Sequence, residues 1–170
     1  MNKAAYEALC QDRMQGLYRI ALSILRSPAD AQDAVQQAFL NAWGYRKTAY
    51  PGREMGWITR ILINECRNIQ RHRMRVFPVE TVPDRPTAQE NETGLKEAMD
   101  SLPEKLRLAL LLKYMEGMTE KEAALALKIS LATLKSRLFR ARKALANWRG
   151  WKGTSNVVGE YDWLSEFAAG

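Results

Sequence analysis

The sequence predicts an all-α protein built from two small helical domains joined by a flexible linker. Apolar residues recur at helical spacing over most of the chain, and the alternating pattern of strands is nearly absent. Residues 76–94 break this pattern with three prolines and four acidic residues, as a linker does. Positive charge falls into two blocks, because residues 1–75 and residues 96–150 each hold 12 basic and 6 acidic side chains. We therefore expect two basic modules on either side of an acidic connector.

Composition limits the classes of protein to which the chain can belong. Its 170 residues allow one ordinary domain or two small ones, and 46% hydrophobic residues are too many for a wholly disordered chain. The net charge of +7 favours a polyanionic partner, nucleic acid or an anionic membrane surface, although a merely basic protein also fits. The first 16 residues lack the apolar segment of a signal peptide, and the longest apolar run, residues 108–112, is too short for a bilayer. We expect a cytoplasmic protein with no membrane insertion.

The residues that most often bind metals are scarce. Cys10 and Cys66 are the only cysteines, and His72 is the only histidine. Their spacing fits no familiar metal site, so we expect no metal and no cofactor. Both thiols are predicted to be ordinary core or surface groups in a reducing compartment.

Two helices are predicted before residue 44. An apolar stripe runs to residue 25, and Ser27-Pro28 ends that helix. A second helix is predicted at residues 29–43, with Asp30 and Asp33 in its first turn, where the helix dipole favours negative charge.

A loop and a basic helix are predicted next. Residues 47–56 form the loop, and residues 57–75 form a helix with one apolar face and one arginine-rich face. Single-stranded nucleic acid needs a cationic track beside aromatic rings, which Tyr50 and Trp57 would supply. By themselves these residues fit better with a core position for Trp57 and a solvated arginine face.

Four helices and a tail are predicted after the linker. Pro103 separates a helix at residues 95–101 from one at 104–115, which Gly117 would cap. A short helix at 120–127 and a longer one at 131–148 follow. The tail, residues 150–170, carries a small amphipathic patch that would fold back, bind a partner or remain disordered.

Residues 117–145 have the pattern of a helix-turn-helix. Thr119 and Glu122 form a capping box at the start of the first helix, and Ser130 can cap the second. Lys128 lies in the turn at a position where a left-handed conformation often selects glycine. The second helix combines a leucine stripe with a basic face, which suits the major groove of DNA. The alternative is a solvated amphipathic hairpin.

Three stretches resemble the extracytoplasmic-function group of RNA polymerase sigma factors. DAQDAVQQAFLNAW, residues 30–43, is similar to the region 2 helix that docks on the polymerase clamp. REMGWITRILINECRNIQRHR, residues 53–73, resembles the helix after the promoter-melting loop. EGMTEKEAALALKISLATLKSRLFRAR, residues 116–142, resembles the region 4 helix-turn-helix. The resemblance covers about residues 5–148 in the family's order.

The resemblance implies a division of the chain and a function. Residues 1–75 would be region 2, residues 76–94 the acidic linker, residues 95–149 region 4 and residues 150–170 a tail. The protein would be no enzyme. It would bind the beta-prime clamp and beta flap of core RNA polymerase, melt the minus-ten element through region 2 and read the minus-35 element through region 4. An anti-sigma factor would control it.

The resemblance also assigns residues to three surfaces. The expected polymerase-binding residues are Asp30, Asp33, Gln36, Gln37 and Phe39. The residues expected to bind the opened minus-ten strand are Tyr50, Arg53, Trp57, Arg60, Asn64, Arg67, Asn68 and Arg71. Those expected to read the minus-35 duplex are Thr133, Lys135, Ser136, Arg137, Phe139 and Arg140. No catalytic residue is implied.

Two other classes of protein remain open. A conventional DNA-binding regulator would explain the helix-turn-helix but would leave residues 47–75 without a role. A nuclease would need clustered carboxylates or an activated nucleophile. Asp30 and Asp33 have no histidine, lysine or third acid near them in sequence.

Overall fold

The computed structural model describes residues 1–76 and 94–147, and every regular element in these two ranges is helical. The all-α prediction is confirmed. Most of the predicted linker and the whole predicted tail lie outside the described residues. None of the helices in the described ranges is long and apolar enough to cross a membrane.

Three helices form the N-terminal bundle: α1 (Lys3–Leu25), α2 (Pro28–Tyr45) and α3 (Glu54–Val76). The Asn2 side chain caps α1 by accepting a hydrogen bond from the Ala5 amide at 2.8 Å. Ser27 caps α2 and Pro28 opens its first turn, as the Ser-Pro pair predicts. Each helix packs against the other two through its apolar face.

The loop between α2 and α3 is shorter than predicted. Residues 46–48 form a short 3₁₀ turn, and α3 begins at Glu54 rather than at residue 57. Gly52 has a φ of 80°, and the Arg53 amide donates to the Tyr50 carbonyl at 3.0 Å, which closes a type II turn with Pro51 at its second position. The Glu54 carboxylate accepts from the Gly52 amide at 2.9 Å and lies in the first turn of α3, which favours an acid.

Four helices form the C-terminal bundle: α4 (Gly94–Ser101), α5 (Glu104–Leu110), α6 (Glu120–Leu127) and α7 (Leu131–Ala146). The helix predicted at 104–115 changes at Leu110 into a π-helical turn, Leu111–Met115. Gly117 follows with a φ of 64°, which agrees with its predicted role as a cap.

The predicted helix-turn-helix is confirmed in detail. The Glu122 amide donates to Thr119 Oγ1 at 3.2 Å, and the Thr119 amide donates to Glu122 Oε2 at 2.9 Å. Ser130 caps α7 by accepting from the Thr133 amide at 3.1 Å. Lys128 adopts the left-handed conformation with a φ of 60°. A lysine thus occupies the turn position that glycine would fill without strain.

The two bundles share one continuous buried core. α6 packs on α3, and α5 packs on both α7 and α1. Arg107 is the one buried charged residue among the residues whose side chains the structure describes, 1–76 and 97–147. Its guanidinium donates to Ser23 Oγ and to the Ser23 carbonyl, each at 2.8 Å, and to the Leu102 carbonyl at 2.9 Å. These bonds compensate the desolvation of the charge and join α5 to α1.

Replacing Lys128 with glycine should stabilise the protein. The substitution removes crowding that costs roughly 1–2 kcal/mol in the left-handed region, and part of this gain is lost because glycine makes the unfolded chain more flexible. We expect the free energy of unfolding to rise by about 0.5 kcal/mol in urea titrations followed by circular dichroism.

Lys143→Gly is the matched control, because Lys143 is exposed within α7 and has helical geometry. That change should lower the free energy of unfolding by about 0.5–1 kcal/mol. Equal losses in the two variants would show that the left-handed conformation of Lys128 carries no strain.

Candidate nucleic-acid interface

The exposed face of α7 has the form of a DNA-reading helix. Its inner face buries Leu134, Leu138, Ala141 and Leu145 against the core. Phe139 lies on the outer face and is 63% exposed, although it is large and apolar. The residues predicted to read the duplex all lie on α7: Thr133, Lys135, Ser136, Phe139 and Arg140 are exposed, and Arg137 is half-buried. The fold therefore brings these six residues to one helix.

Polar contacts at both ends of α7 fix its position. Glu120, at the start of α6, accepts from Lys113 at 2.9 Å and lies 3.9 Å from the Lys135 ammonium. The hydrogen bond from Lys113 lowers the pKa of Glu120, so its carboxylate stays charged. Arg142 donates to the Tyr114 hydroxyl at 2.7 Å. Lys135 is thus both exposed and held by an acid, a role that its sequence position did not reveal.

The second basic face lies along α3 and the loop before it. Tyr50 is 72% exposed at the tip of the turn, and Arg53 is exposed beside it. Along α3, Asn64, Arg67, Asn68 and Arg71 are exposed, whereas Trp57 and Arg60 are half-buried.

Three of these side chains show why the face is only partly free. Trp57 packs against the core, so the core interpretation of this residue is partly correct. Arg67 pairs with Glu104 of the C-terminal bundle at 3.3 Å. Arg71 donates to the Asn68 side chain on the same face.

Arg73 belongs to the framework of the N-terminal bundle, although its sequence position places it with the arginine-rich face. Its guanidinium pairs with the Asp30 carboxylate and donates to the Leu25 carbonyl at 3.2 Å. Gln70 also donates to a carbonyl at the end of α1, that of Ile24, at 3.4 Å. α3 thereby caps the C-terminal end of α1 and holds the start of α2.

The predicted polymerase-binding residues lie on α2 in two environments. Asp33, Gln36 and Gln37 are exposed, and Phe39 is half-buried, while the Asp30 carboxylate is paired with Arg73. Leu40 is 68% exposed on the face of Asp33, Gln36 and Gln37, since residues three and four apart are neighbours on a helix. Sequence reasoning missed Leu40, although this spacing could have found it.

The cysteines are free thiols in apolar surroundings. Cys10 is half-buried and Cys66 is buried. Burial raises the pKa of the Cys66 thiol to about 12, which keeps it protonated and unreactive at neutral pH. Within residues 1–76 and 94–147, no three His, Cys, Asp or Glu side chains come together as metal ligands would.

Two protein-family models match the chain, one on each side of the predicted linker. The model described as Sigma-70 region 2 matches residues 9–76, and the model described as Sigma-70, region 4 matches residues 93–145. The matches together cover well over half of the chain.

Curated relatives carry names of the same kind. The chain is 31% identical over 160 residues to the ECF RNA polymerase sigma factor SigM of Mycobacterium tuberculosis, and the match covers 90% of this chain and 81% of that protein. It is 28% identical over 158 residues to the ECF RNA polymerase sigma factor SigE of Mycolicibacterium smegmatis, over 85% of this chain and 61% of SigE. The chain thus matches about three fifths of the length of SigE.

One solved structure is similar in fold and sequence. It is the sigma factor RpoE of Bartonella quintana, in complex with the anti-sigma factor NepR. The TM-score is 0.64 at 27% sequence identity, and the match covers 82% of this chain and 94% of that one.

The contact between Asp30 and Arg73 should be measurable as a coupling. Both side chains are about one third exposed, so we expect the pair to contribute about 1 kcal/mol to the free energy of unfolding. A double-mutant cycle with Asp30→Asn, Arg73→Met and both changes, followed by urea unfolding, isolates this value. The cycle cancels the separate loss of the hydrogen bond to the Leu25 carbonyl.

Arg75→Met is the control, because Arg75 is exposed at the same end of α3. It should change the free energy of unfolding by less than about 0.5 kcal/mol. Strict additivity of the Asp30 and Arg73 effects would mean that the two groups do not interact in solution.

Proposed function

The chain belongs to the extracytoplasmic-function group of RNA polymerase sigma factors, and from that premise we propose that it directs core RNA polymerase to a set of promoters. It would act in the cytoplasm, would bind core enzyme and two promoter elements, and would catalyse no reaction itself. The observation that carries the proposal is the presence, in one chain, of an exposed α7 face suited to duplex DNA and a partly exposed α3 face suited to a single strand.

We propose that α7 reads the minus-35 element. Arginine can pair bidentately with guanine, which suits Arg140, and an apolar side chain such as Phe139 can contact the methyl group of thymine. Thr133, Ser136 and Arg137 would add contacts to bases or phosphates, and Lys135 would position the helix on the backbone. Glu120 supports this role by holding Lys135 from one side.

The loop and α3 would bind the opened minus-ten strand. Extruding a base from the duplex costs on the order of a few kcal/mol, and stacking on an aromatic ring returns about 1–3 kcal/mol per base. Tyr50 is the most exposed aromatic near this face, and Trp57 lies partly open beside it. The cost of extrusion and the gain from stacking are nearly equal, so contacts to phosphates would decide whether the strand opens. Those contacts would come from Arg53, Arg60, Arg67 and Arg71, while Asn64 and Asn68 would donate to bases. Strand opening should therefore weaken as salt rises.

Core polymerase would bind the exposed face of α2. Asp33, Gln36, Gln37 and Leu40 form a polar surface with one apolar residue at its end. Asp30 and Phe39 would support this surface from below, Asp30 through Arg73 and Phe39 through its packing. The beta-prime clamp is the expected partner of this face, and the beta flap that of the C-terminal bundle.

We also propose that an anti-sigma factor binds this chain. The support is the similarity to RpoE of Bartonella quintana, whose structure is that of a complex with the anti-sigma factor NepR. The basic faces of α3 and α7 are the surfaces that such a partner would need to cover.

Melting and duplex reading should respond differently to the state of the template. In run-off transcription with purified core polymerase, Tyr50→Ala should lower transcription from a duplex promoter about tenfold, because it removes one stacking surface. A template already open across the minus-ten element should largely restore it. Arg140→Ala should lower transcription by about tenfold on both templates, since the minus-35 element stays paired.

Lys3→Ala serves as the control for this experiment, because Lys3 is exposed on α1 and belongs to none of the three surfaces. The promoter is chosen from genomic fragments that the wild-type protein transcribes. Failure of the wild-type protein to direct any start site on such fragments would refute the proposed function. Equal defects of Tyr50→Ala on closed and open templates would refute its role in melting.

Affinity purification of the tagged chain from its native cells should recover a stoichiometric partner besides polymerase subunits. Adding that partner to the run-off assay should suppress transcription in proportion to its concentration. Repeated purification without such a protein would contradict anti-sigma control while leaving promoter recognition intact.

A further inference from the structure

Glu120 connects two lysines that belong to different parts of the C-terminal bundle. Its Oε1 accepts a hydrogen bond from Lys113 of the π-helical turn at 2.9 Å, and its Oε2 lies 3.9 Å from the Lys135 ammonium on α7. Glu120 itself lies in the first turn of α6, where the helix dipole favours an acid. The carboxylate is therefore held in place by α6 and by Lys113, independently of Lys135.

The two ion pairs of Glu120 differ in their exposure to solvent. The side chains of Glu120 and Lys113 are 31% and 27% exposed, whereas that of Lys135 is 61% exposed. Exposed ion pairs are screened by water and salt and are weak, so Lys113 is the lasting partner and Lys135 the exchangeable one. The Lys135 ammonium has three donors, so it can contact Glu120 and a second acceptor at the same time.

Lys135 lies on the face of α7 that is proposed to read duplex DNA. It is exposed one turn before Phe139, which shares its face because residues four apart are neighbours on a helix. The carboxylate of Glu120 thus places a negative charge at the edge of a basic surface. Contacts from lysine to phosphate carry no sequence information, and such contacts supply nearly all of the affinity for an arbitrary duplex. Holding Lys135 at this edge therefore removes one such contact from most arrangements of DNA on α7.

We propose that Glu120 is a specificity-determining residue, which restrains Lys135 so that its ammonium contacts DNA only where a phosphate lies within reach of the restrained position. Cognate DNA, aligned by the contacts of Phe139 and Arg140 with bases, presents a phosphate there. On any other sequence the duplex has no fixed alignment, and Lys135 would have to leave Glu120 to reach a phosphate. The restraint rests on the contacts alone, whereas the choice of cognate DNA rests on the proposed function.

Glu120→Gln tests the restraint, because it keeps an oxygen that accepts from Lys113 and removes the charge that holds Lys135. Binding of the full chain to a short fluorescein-labelled duplex of mixed sequence is measured by fluorescence polarisation over a series of salt concentrations. The variant should bind this duplex about threefold more tightly, the size expected for loss of one competing surface ion pair. The plot of log affinity against log salt should become steeper by about 0.9, because one more phosphate is neutralised.

A duplex that carries the upstream element of a promoter transcribed by the wild-type protein tests the specificity. The affinity of Glu120→Gln for this duplex should stay within about 1.5-fold of the wild-type value, because Lys135 reaches its phosphate with or without the carboxylate. The ratio of cognate to mixed-sequence affinity should therefore fall by about twofold or more.

Lys135→Met distinguishes the restraint from a merely structural effect of Glu120 on α6. In the wild-type background this change should leave the mixed-sequence affinity and its salt dependence unaltered, because Lys135 is already withheld from phosphates. Combined with Glu120→Gln, it should cancel the gain in affinity and in slope. An effect that acted through the stability of α6 would survive in the double variant.

Glu7→Gln is the matched control, because Glu7 pairs with Lys3 at 3.7 Å on the exposed surface of α1. It makes the same change of charge and frees a lysine that belongs to none of the three proposed surfaces. We expect wild-type affinity and salt dependence on both duplexes. Circular dichroism should give the same helix content for all four variants as for the wild type.

A salt dependence of Glu120→Gln equal to that of the wild type, or a gain that persists after Lys135→Met, would overturn the restraint. An equal gain on both duplexes would overturn the role in specificity. A wild-type protein that directs no start site would refute the proposed function alone, since the mixed-sequence duplex still decides whether Glu120 restrains Lys135.

Discussion

The apolar face of α3 is the constraint on which both surfaces of the N-terminal bundle depend. Ile58, Leu62 and Cys66 are fully buried on this face, where α3 packs on α1 and α2. Burying one such aliphatic side chain contributes about 1.5–3 kcal/mol, which is more than the about 1 kcal/mol expected of an ion pair on the surface of the same helix. The rotation of α3 is therefore fixed by its core, and Arg67 and Arg71 point outward as a consequence.

Arginines in this chain perform three physically different tasks, which charge alone does not distinguish. Arg73 pairs with Asp30 and caps the end of α1, so it holds three helices together. Arg107 is buried and satisfied by Ser23 and Leu102, so it orders the contact between the bundles. Arg71 is exposed and available to a phosphate. A count of arginines therefore overstates the number that DNA could contact.

The features that the sequence predicts are those that depend on residues close to one another along the chain. The capping box of Thr119 and Glu122, the Ser130 cap and the leucine stripe of α7 are local, and the helix-turn-helix followed from them. From the sequence, Gly56 is predicted to be the last residue of a loop centred on Pro51 and Gly52, but it lies within α3. A larger residue is disfavoured at this position because the Glu122 backbone, which is distant in sequence, lies against it.

The same limit applies to the candidate site. The spacing of arginines along α3 indicated a basic face, and the exposure of Asn64, Asn68 and Arg71 agrees with it. The pairing of Arg67 with Glu104 could not be predicted, because it depends on how the bundles pack and the residues between them have the composition of a linker. The exposure of Leu40 follows from the face that α2 buries, which periodicity could have indicated.

The composition of α6 explains how the two bundles can pack closely. The buried residues of α6 are Ala123, Ala124 and Ala126, and this helix lies between α3 and α7. Alanine buries much less apolar area than leucine, so a close contact through alanine and glycine contributes less hydrophobic free energy than a contact between leucines. The large aliphatic residues, such as Ile20 and Leu62 in one bundle and Leu134 and Leu138 in the other, are fully buried. α6 can therefore come within van der Waals distance of the α3 backbone at Gly56, where any added side chain would hold the two helices apart.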